Sequence, residues 1–216
     1  MPDHKFEKIE IDGWHFRVRY PTQNISKARP MLLIHGYQGN ENVMWILTKP
    51  IHNNFLMIAP RAPIEVSDNQ YIWHEIAPQW PDISIYQDLT LQLLARTDKL
   101  LVSFGINLKT YDVMGFSQGA VMAYSLAFLQ PERINRVAAI AGFIPYSWQT
   151  QLNFKNVKNK SFFIAHGTQD EIIPIKKAHQ AAGWLLENGS NVTFCEAEIG
   201  HKISANCFNG LGNFFS

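Results

Sequence analysis

A chain of 216 residues with 46% hydrophobic and 12% aromatic content can bury a full core yet is short for two domains, so one domain is expected. Nineteen Lys and Arg against eighteen Asp and Glu leave a formal charge of +1 with no long run of one sign, which excludes a nucleic-acid footprint. The polar first residues do not read as a signal peptide, and no run of about 18 apolar residues reads as a membrane span, so a cytoplasmic protein without integral membrane association is expected.

Residues 5–11 and 14–20 alternate around Asp12-Gly13, a strong hairpin signal, and should pair antiparallel. Met31-Leu32-Leu33-Ile34 is wholly apolar, as in a strand buried on both faces of a parallel sheet. It runs into His35-Gly36-Tyr37-Gln38-Gly39-Asn40, a loop whose glycines let backbone amides turn toward an anion, with His35 read as its brace. A helix over 42–52 and a buried strand over 55–59 follow. Residues 60–81 form the one long irregular segment, with Tyr71, Trp73, His74 and Trp80, whose aromatics either plug it onto the surface or touch substrate. An amphipathic helix over 82–104, an apolar strand ending at Met114 and a helix over 118–130 come next. Strands over 137–141, 162–165 and 192–197 alternate with helices over 171–188 and 203–215. This pattern predicts an α/β fold: a mostly parallel, doubly wound sheet with helices on both faces and an N-terminal antiparallel hairpin. The interval 142–161 is too short to hold a cap domain. Cys195 and Cys207 lack metal spacing and are expected as two buried thiols. With no phosphate loop or dinucleotide fingerprint either, no metal and no cofactor are expected.

The chemistry concentrates at Gly115-Phe116-Ser117-Gln118-Gly119, a Gly-x-Ser-x-Gly pattern between a strand and a helix. So sharp a turn strains the serine backbone and pushes its hydroxyl out above the carboxyl end of the sheet, where open α/β sheets bind ligands. The Gln118 amide, at the start of the helix, has no intrahelical partner and is free to donate to an oxyanion. Behind this elbow the partners of the serine follow in the order acid, then histidine. Of the eight histidines, only His179 and His201 lie after Asp170 or Glu171, the candidate acids that follow Ser117. His179 falls inside a helix and His201 in a loop after a strand, so His201 is favoured as the base. Asp170 closes a run after a buried strand, at the same sheet edge, and is favoured over Glu171 as the acid. His201 would then take the Ser117 proton, Asp170 would orient the imidazole, and the amides of Tyr37 and Gln118 would hold the oxyanion.

The chain thereby resembles the carboxylesterase and phospholipase family of α/β hydrolases that includes the acyl-protein thioesterases. The resemblance rests on Gly115-Phe116-Ser117-Gln118-Gly119-Ala120, Pro131-Glu132-Arg133-Ile134, the run His166-Gly167-Thr168-Gln169-Asp170-Glu171-Ile172-Ile173-Pro174, and Gly200-His201-Lys202-Ile203. It extends from about Pro30 to Ser216. It implies hydrolysis of small-molecule carboxylic esters or thioesters without a cofactor, with Ile172 facing the acyl group and Trp73 near it. Where the family reads His-Gly-x-Gly-Asp, this chain reads His35-Gly36-Tyr37-Gln38-Gly39-Asn40. Two other readings stay open: a lactone hydrolase like dienelactone hydrolase, whose usual nucleophile is cysteine, and a non-catalytic binding protein on the same fold. Monomer and homodimer are both open.

Overall fold

In the computed structural model, which describes residues 5–22, 24–76, 79–152 and 157–216, β1 (Phe6–Ile11) and β2 (Trp14–Arg19) form the expected hairpin, with Phe6 opposite Arg19 and Ile11 opposite Trp14. The buried strands β3 (Arg29–Ile34) and β4 (Phe55–Pro60) precede a small separate hairpin, β5 (Ile64–Ser67) and β6 (Gln70–Ile72). Helix α1 (Ile85–Ser103) leads to β7 (Tyr111–Phe116), α2 (Gln118–Leu129), β8 (Ile134–Ile140) and β9 (Ser161–Gly167). The chain closes with α3 (Ile175–Glu187), β10 (Asn191–Ala197) and α4 (Ala205–Phe215).

The main sheet has the order β1-β2-β4-β3-β7-β8-β9-β10, and every pairing from β4 to β10 is parallel. Apolar strands in its middle feed two cores, because successive side chains point to opposite faces. Leu32, Ile34, Leu56, Ile58 and Val113 pack on the face that α1, α2 and α3 cover. Met31, Leu33, Met57 and Met114 pack on the other, under Leu211 and Phe215 of α4 and under Met44 and Leu47. Helix α2 is buried from Gln118 to Phe128, as expected of an apolar helix clamped between the sheet and its neighbours.

Three expectations are corrected. The helix over 42–52 shrinks to a 3-10 turn at Met44–Thr48, because side chains and carbonyls just before it bond locally: Asn42 N–H donates to Asn40 Oδ1 at 2.9 Å and the Trp45 indole to the Glu41 carbonyl at 2.9 Å. The segment 60–81 is not irregular throughout, since Asn69 adopts φ 57° and turns β5 back on β6. Cys195 and Cys207 are not two thiols but a disulfide, with Cα atoms 5.6 Å apart. The chain reverses between β10 and α4 and lays the first turn of the helix against the strand, a proximity that a separation of 12 residues does not announce. In the interval 142–161 the described residues include a 3-10 turn, Tyr146–Thr150.

Candidate active site

At the end of β7 the backbone of Ser117 takes φ 55° and ψ −119°, a region that costs a non-glycine residue about 1–3 kcal/mol and that surrounding structure must enforce. Three contacts enforce it. Ser117 N–H donates to the Ile140 carbonyl at 2.9 Å. A Cβ on Gly115 would lie 2.1 Å from the Gly119 carbonyl oxygen, and a Cβ on Gly119 would lie 2.2 Å from that of Ile34. The strand and the start of α2 therefore pass at backbone contact, which only glycine permits. At Gly142, behind the elbow, a Cβ would meet that of Ala120 at 2.3 Å.

The loop after β3 lies against this elbow. Gly36 faces Phe116 and Ser117, where an added Cβ would sit 3.1 Å from the Phe116 carbonyl oxygen and 3.3 Å from the Ser117 Cβ. His35 is fully buried beneath it, accepting from Ala62 N–H through Nε2 at 3.0 Å and donating from Nδ1 to the Gly36 carbonyl at 2.8 Å. Burial pushes its pKa down to about 4, so the ring is a neutral brace. Behind the loop the buried Glu41 takes a two-pronged bond from Arg61, at 2.8 Å on each oxygen. Burial would raise its pKa, but the guanidinium prevails and holds it at about 2. Asn40 ties the loop to the turn between β5 and β6 through a bond from Nδ2 to the Asn69 carbonyl at 3.0 Å.

On the other side of Ser117, His201 follows β10. Its Nδ1 donates to Asp170 Oδ2 at 2.7 Å, which leaves Nε2 with the free lone pair. Asp170 is buried, and its Oδ1 accepts the amides of Ile172 at 3.0 Å and Ile173 at 2.9 Å. Burial alone would raise its pKa; the Ile173 amide, His201 and the Ile172 amide together hold it below the usual carboxylate range. One partner escaped the sequence reading: buried His166 donates from Nε2 to the Ile173 carbonyl at 2.7 Å and lies 3.3 Å from Asp170 Oδ2. Its place four residues before Asp170 was the only available signal.

Ser117, His201, Tyr37 and Ile172 line one cavity of about 500 Å³, with Phe116 as part of its floor. The wall that sequence reasoning missed is the 3-10 turn, which contributes Met44, Ile46 and Leu47, together with Val43 just before it. The exposed Ile172, Ile46 and Val43 give the mouth an apolar rim. Trp73 does not border this groove as expected. It is 2% exposed, donating from its indole to the His35 carbonyl at 2.8 Å and from its backbone N–H to Gln118 Oε1 at 3.0 Å. Its apolar bulk and two bonds draw it inward as a plug. Gln118 completes the clamp by donating Nε2 to the His74 carbonyl at 2.9 Å. His179 stays at the surface, paired with Glu196 at 2.7 Å.

The model of the phospholipase/carboxylesterase family matches residues 16–216 of this chain. The chain belongs to that family. It is similar to a probable carboxylesterase SOBER1-like of Arabidopsis thaliana, 25% identical over 83% of this chain and 75% of the relative. It is also similar to acyl-protein thioesterase 1 of Saccharomyces cerevisiae, 30% identical over 57% of this chain and 58% of that one. The fold matches the crystal structure of a carboxylesterase from Mesorhizobium loti with a TM-score of 0.81 at 18% identity, covering 97% of each chain. As a member of this phospholipase/carboxylesterase family the chain is an ester or thioester hydrolase.

Proposed function

We propose that Ser117, His201 and Asp170 act as one unit that hydrolyses carboxylic esters or thioesters through an acyl-enzyme. The observation that carries the reading is the 2.7 Å bond between Asp170 and His201 at the cavity that Ser117 lines from its strained turn. His201 Nε2 takes the hydroxyl proton as Ser117 Oγ adds to the carbonyl carbon, and the amides of Gln118 and Tyr37 receive the oxyanion. The proton passes to the leaving alcohol or thiol as its bond to the acyl carbon breaks. Water, deprotonated by the same imidazole, then releases the acid and restores the serine.

Ile172 and the 3-10 turn supply the acyl contacts, and the open, uncapped mouth suits small to medium acyl groups or acyl groups carried on a larger body. The catalytic unit is a single domain acting on small-molecule substrates without a cofactor or metal. A cytoplasmic site stays an expectation of the sequence, and the Cys195–Cys207 disulfide favours a more oxidising compartment. No observation favours a lactone hydrolase or a non-catalytic binder. The test is a panel of p-nitrophenyl esters and thioesters of rising chain length, combined with fluorophosphonate labelling. Labelling confined to Ser117 with loss of all turnover supports the reading, and turnover that survives full labelling refutes it.

A further inference from the structure

A second cavity, of about 390 Å³, opens beside the first. The two share Ile46, Leu47 and Phe116, which form a common apolar sill. Beyond the sill the second cavity is lined by Phe208 of α4 and by two lysines, Lys49 and Lys202. Both lysines are exposed, and neither ammonium joins an ion pair among the described residues. An apolar passage that starts beside a reactive serine and ends between two unpaired cations suits a molecule with the opposite order of chemistry.

Which half of a substrate lies there follows from proton transfer. The imidazole that activates the serine must hand its proton to the leaving atom, so the leaving group departs on the side of His201. The second cavity lies on that side, since Lys202 is the next residue in the chain and Phe116, in its wall, packs on the His201 ring with centroids 5.1 Å apart. The exposed Ile172, on the loop that carries Asp170, lines the first cavity and not the second.

Resting on the proposed triad, we infer that the second cavity is a leaving-group subsite for an alcohol or thiol that carries an anion, a carboxylate or a phosphate, beyond a short apolar stretch. Lys49 and Lys202 receive the anion, while the sill of Ile46, Leu47 and Phe116, which borders both cavities and so meets the acyl group as well, covers the stretch between the anion and the scissile bond. A solvated pair of lysines contributes modestly, about three- to tenfold in selectivity.

The test uses thioesters of one acyl group with three thiols: 6-mercaptohexanol, 6-mercaptohexanoate and 6-mercaptohexyl phosphate. The ratio of kcat/KM for each anionic thioester to that of the neutral one should be about three to ten, and it should fall toward one in Lys49→Gln and Lys202→Gln and with rising ionic strength. The larger of the two ratios identifies carboxylate or phosphate as the preferred anion. The salt series needs no variant, so the inference stays testable if a lysine variant fails to fold. Equal turnover of all three thioesters overturns the subsite while leaving the triad standing. A preference for an anion placed on the acyl chain instead overturns the assignment to the leaving group. Failure to hydrolyse even the neutral thioester would count against the triad itself.

Discussion

The two flanks of the Ser117 cavity are built on opposite principles. Toward β6 the flank is buried and bonded: Trp73, His35 and the Gln118 side chain join in a set of hydrogen bonds between 2.8 and 3.0 Å, with no share in the cavity lining for Trp73 or for His35. Toward the 3-10 turn the flank is apolar and half open, with Ile46 64% exposed and Val43 47% exposed. The first flank can set geometry because every polar group in it has one place to be. The second can only offer area, which tolerates substrates of different length. The difference assigns rate to one side and selectivity to the other, and each variant below would break or sharpen that division.

The largest effect is expected at the centre, which both flanks serve. Ser117→Ala and His201→Ala should each lower kcat by about 10⁴–10⁶, and Asp170→Asn by about 10³–10⁴, since such groups act as a unit. Steady-state kinetics on one acetate ester decides this, and near-normal turnover in His201→Ala would remove it from the role of base.

Next comes the bonded flank. Trp73→Ala deletes a fully buried indole and should cost about 3–5 kcal/mol of stability, measured by urea unfolding. The division of labour predicts that the surviving enzyme has a lower kcat but the same order of preference along a series of acyl lengths. A changed chain-length profile would place Trp73 in the selective flank after all.

The brace under the loop responds to acid. The pKa of His35 is held at about 4 in the fold against 6.5 ordinarily, so the unfolded chain takes up its proton first as pH falls. Its contribution is complete above pH 6.5 and is lost between there and pH 4, up to about 3 kcal/mol from this group. Unfolding free energies at several pH values should show that slope in the parent and a shallower one in His35→Gln. Equal slopes would mean that other groups carry the acid response.

The smallest effect is expected at the open flank. Ile46→Ala, at an exposed position, should change stability by no more than about 0.5 kcal/mol. It should shift kcat/KM toward shorter acyl chains by about three- to tenfold, and an unshifted profile would deny this wall its selective role.

The sheet was legible in the sequence because its signals are local. Apolar runs such as Met31-Leu32-Leu33-Ile34 and the Asp12-Gly13 turn announce strands without reference to the rest of the chain, and the order serine, acid, histidine, with Asp170 or Glu171 as the acid, narrowed eight histidines to two. The structure then brought Asp170 and His201 together at bonding distance. What escaped depended on contacts between distant segments. An indole reads the same whether it faces a groove or a buried carbonyl, and only the approach of Gln118 and His35 turns Trp73 inward. Cys195 and Cys207 become partners through the reversal of the chain after β10. The 3-10 turn escaped for a local reason instead: the Asn40 side chain takes the Asn42 amide and the Trp45 indole occupies the Glu41 carbonyl, bonds that compete with a longer helix.

The strand order carries a consequence for how the enzyme comes into being. From β3 onward the sheet adds β7, β8, β9 and β10 to one growing edge in the sequence in which a ribosome delivers them. Each new strand finds the preceding one waiting, and that exposed edge is protected from pairing with other chains only once its successor arrives. The serine turn emerges after β7, the acid after β9 and the histidine after β10, so a nascent chain gains its nucleophile long before the groups that would arm it. Hydrolytic power is therefore withheld until synthesis has passed the last strand, and an arrested fragment would carry the serine in a chain unable to use it.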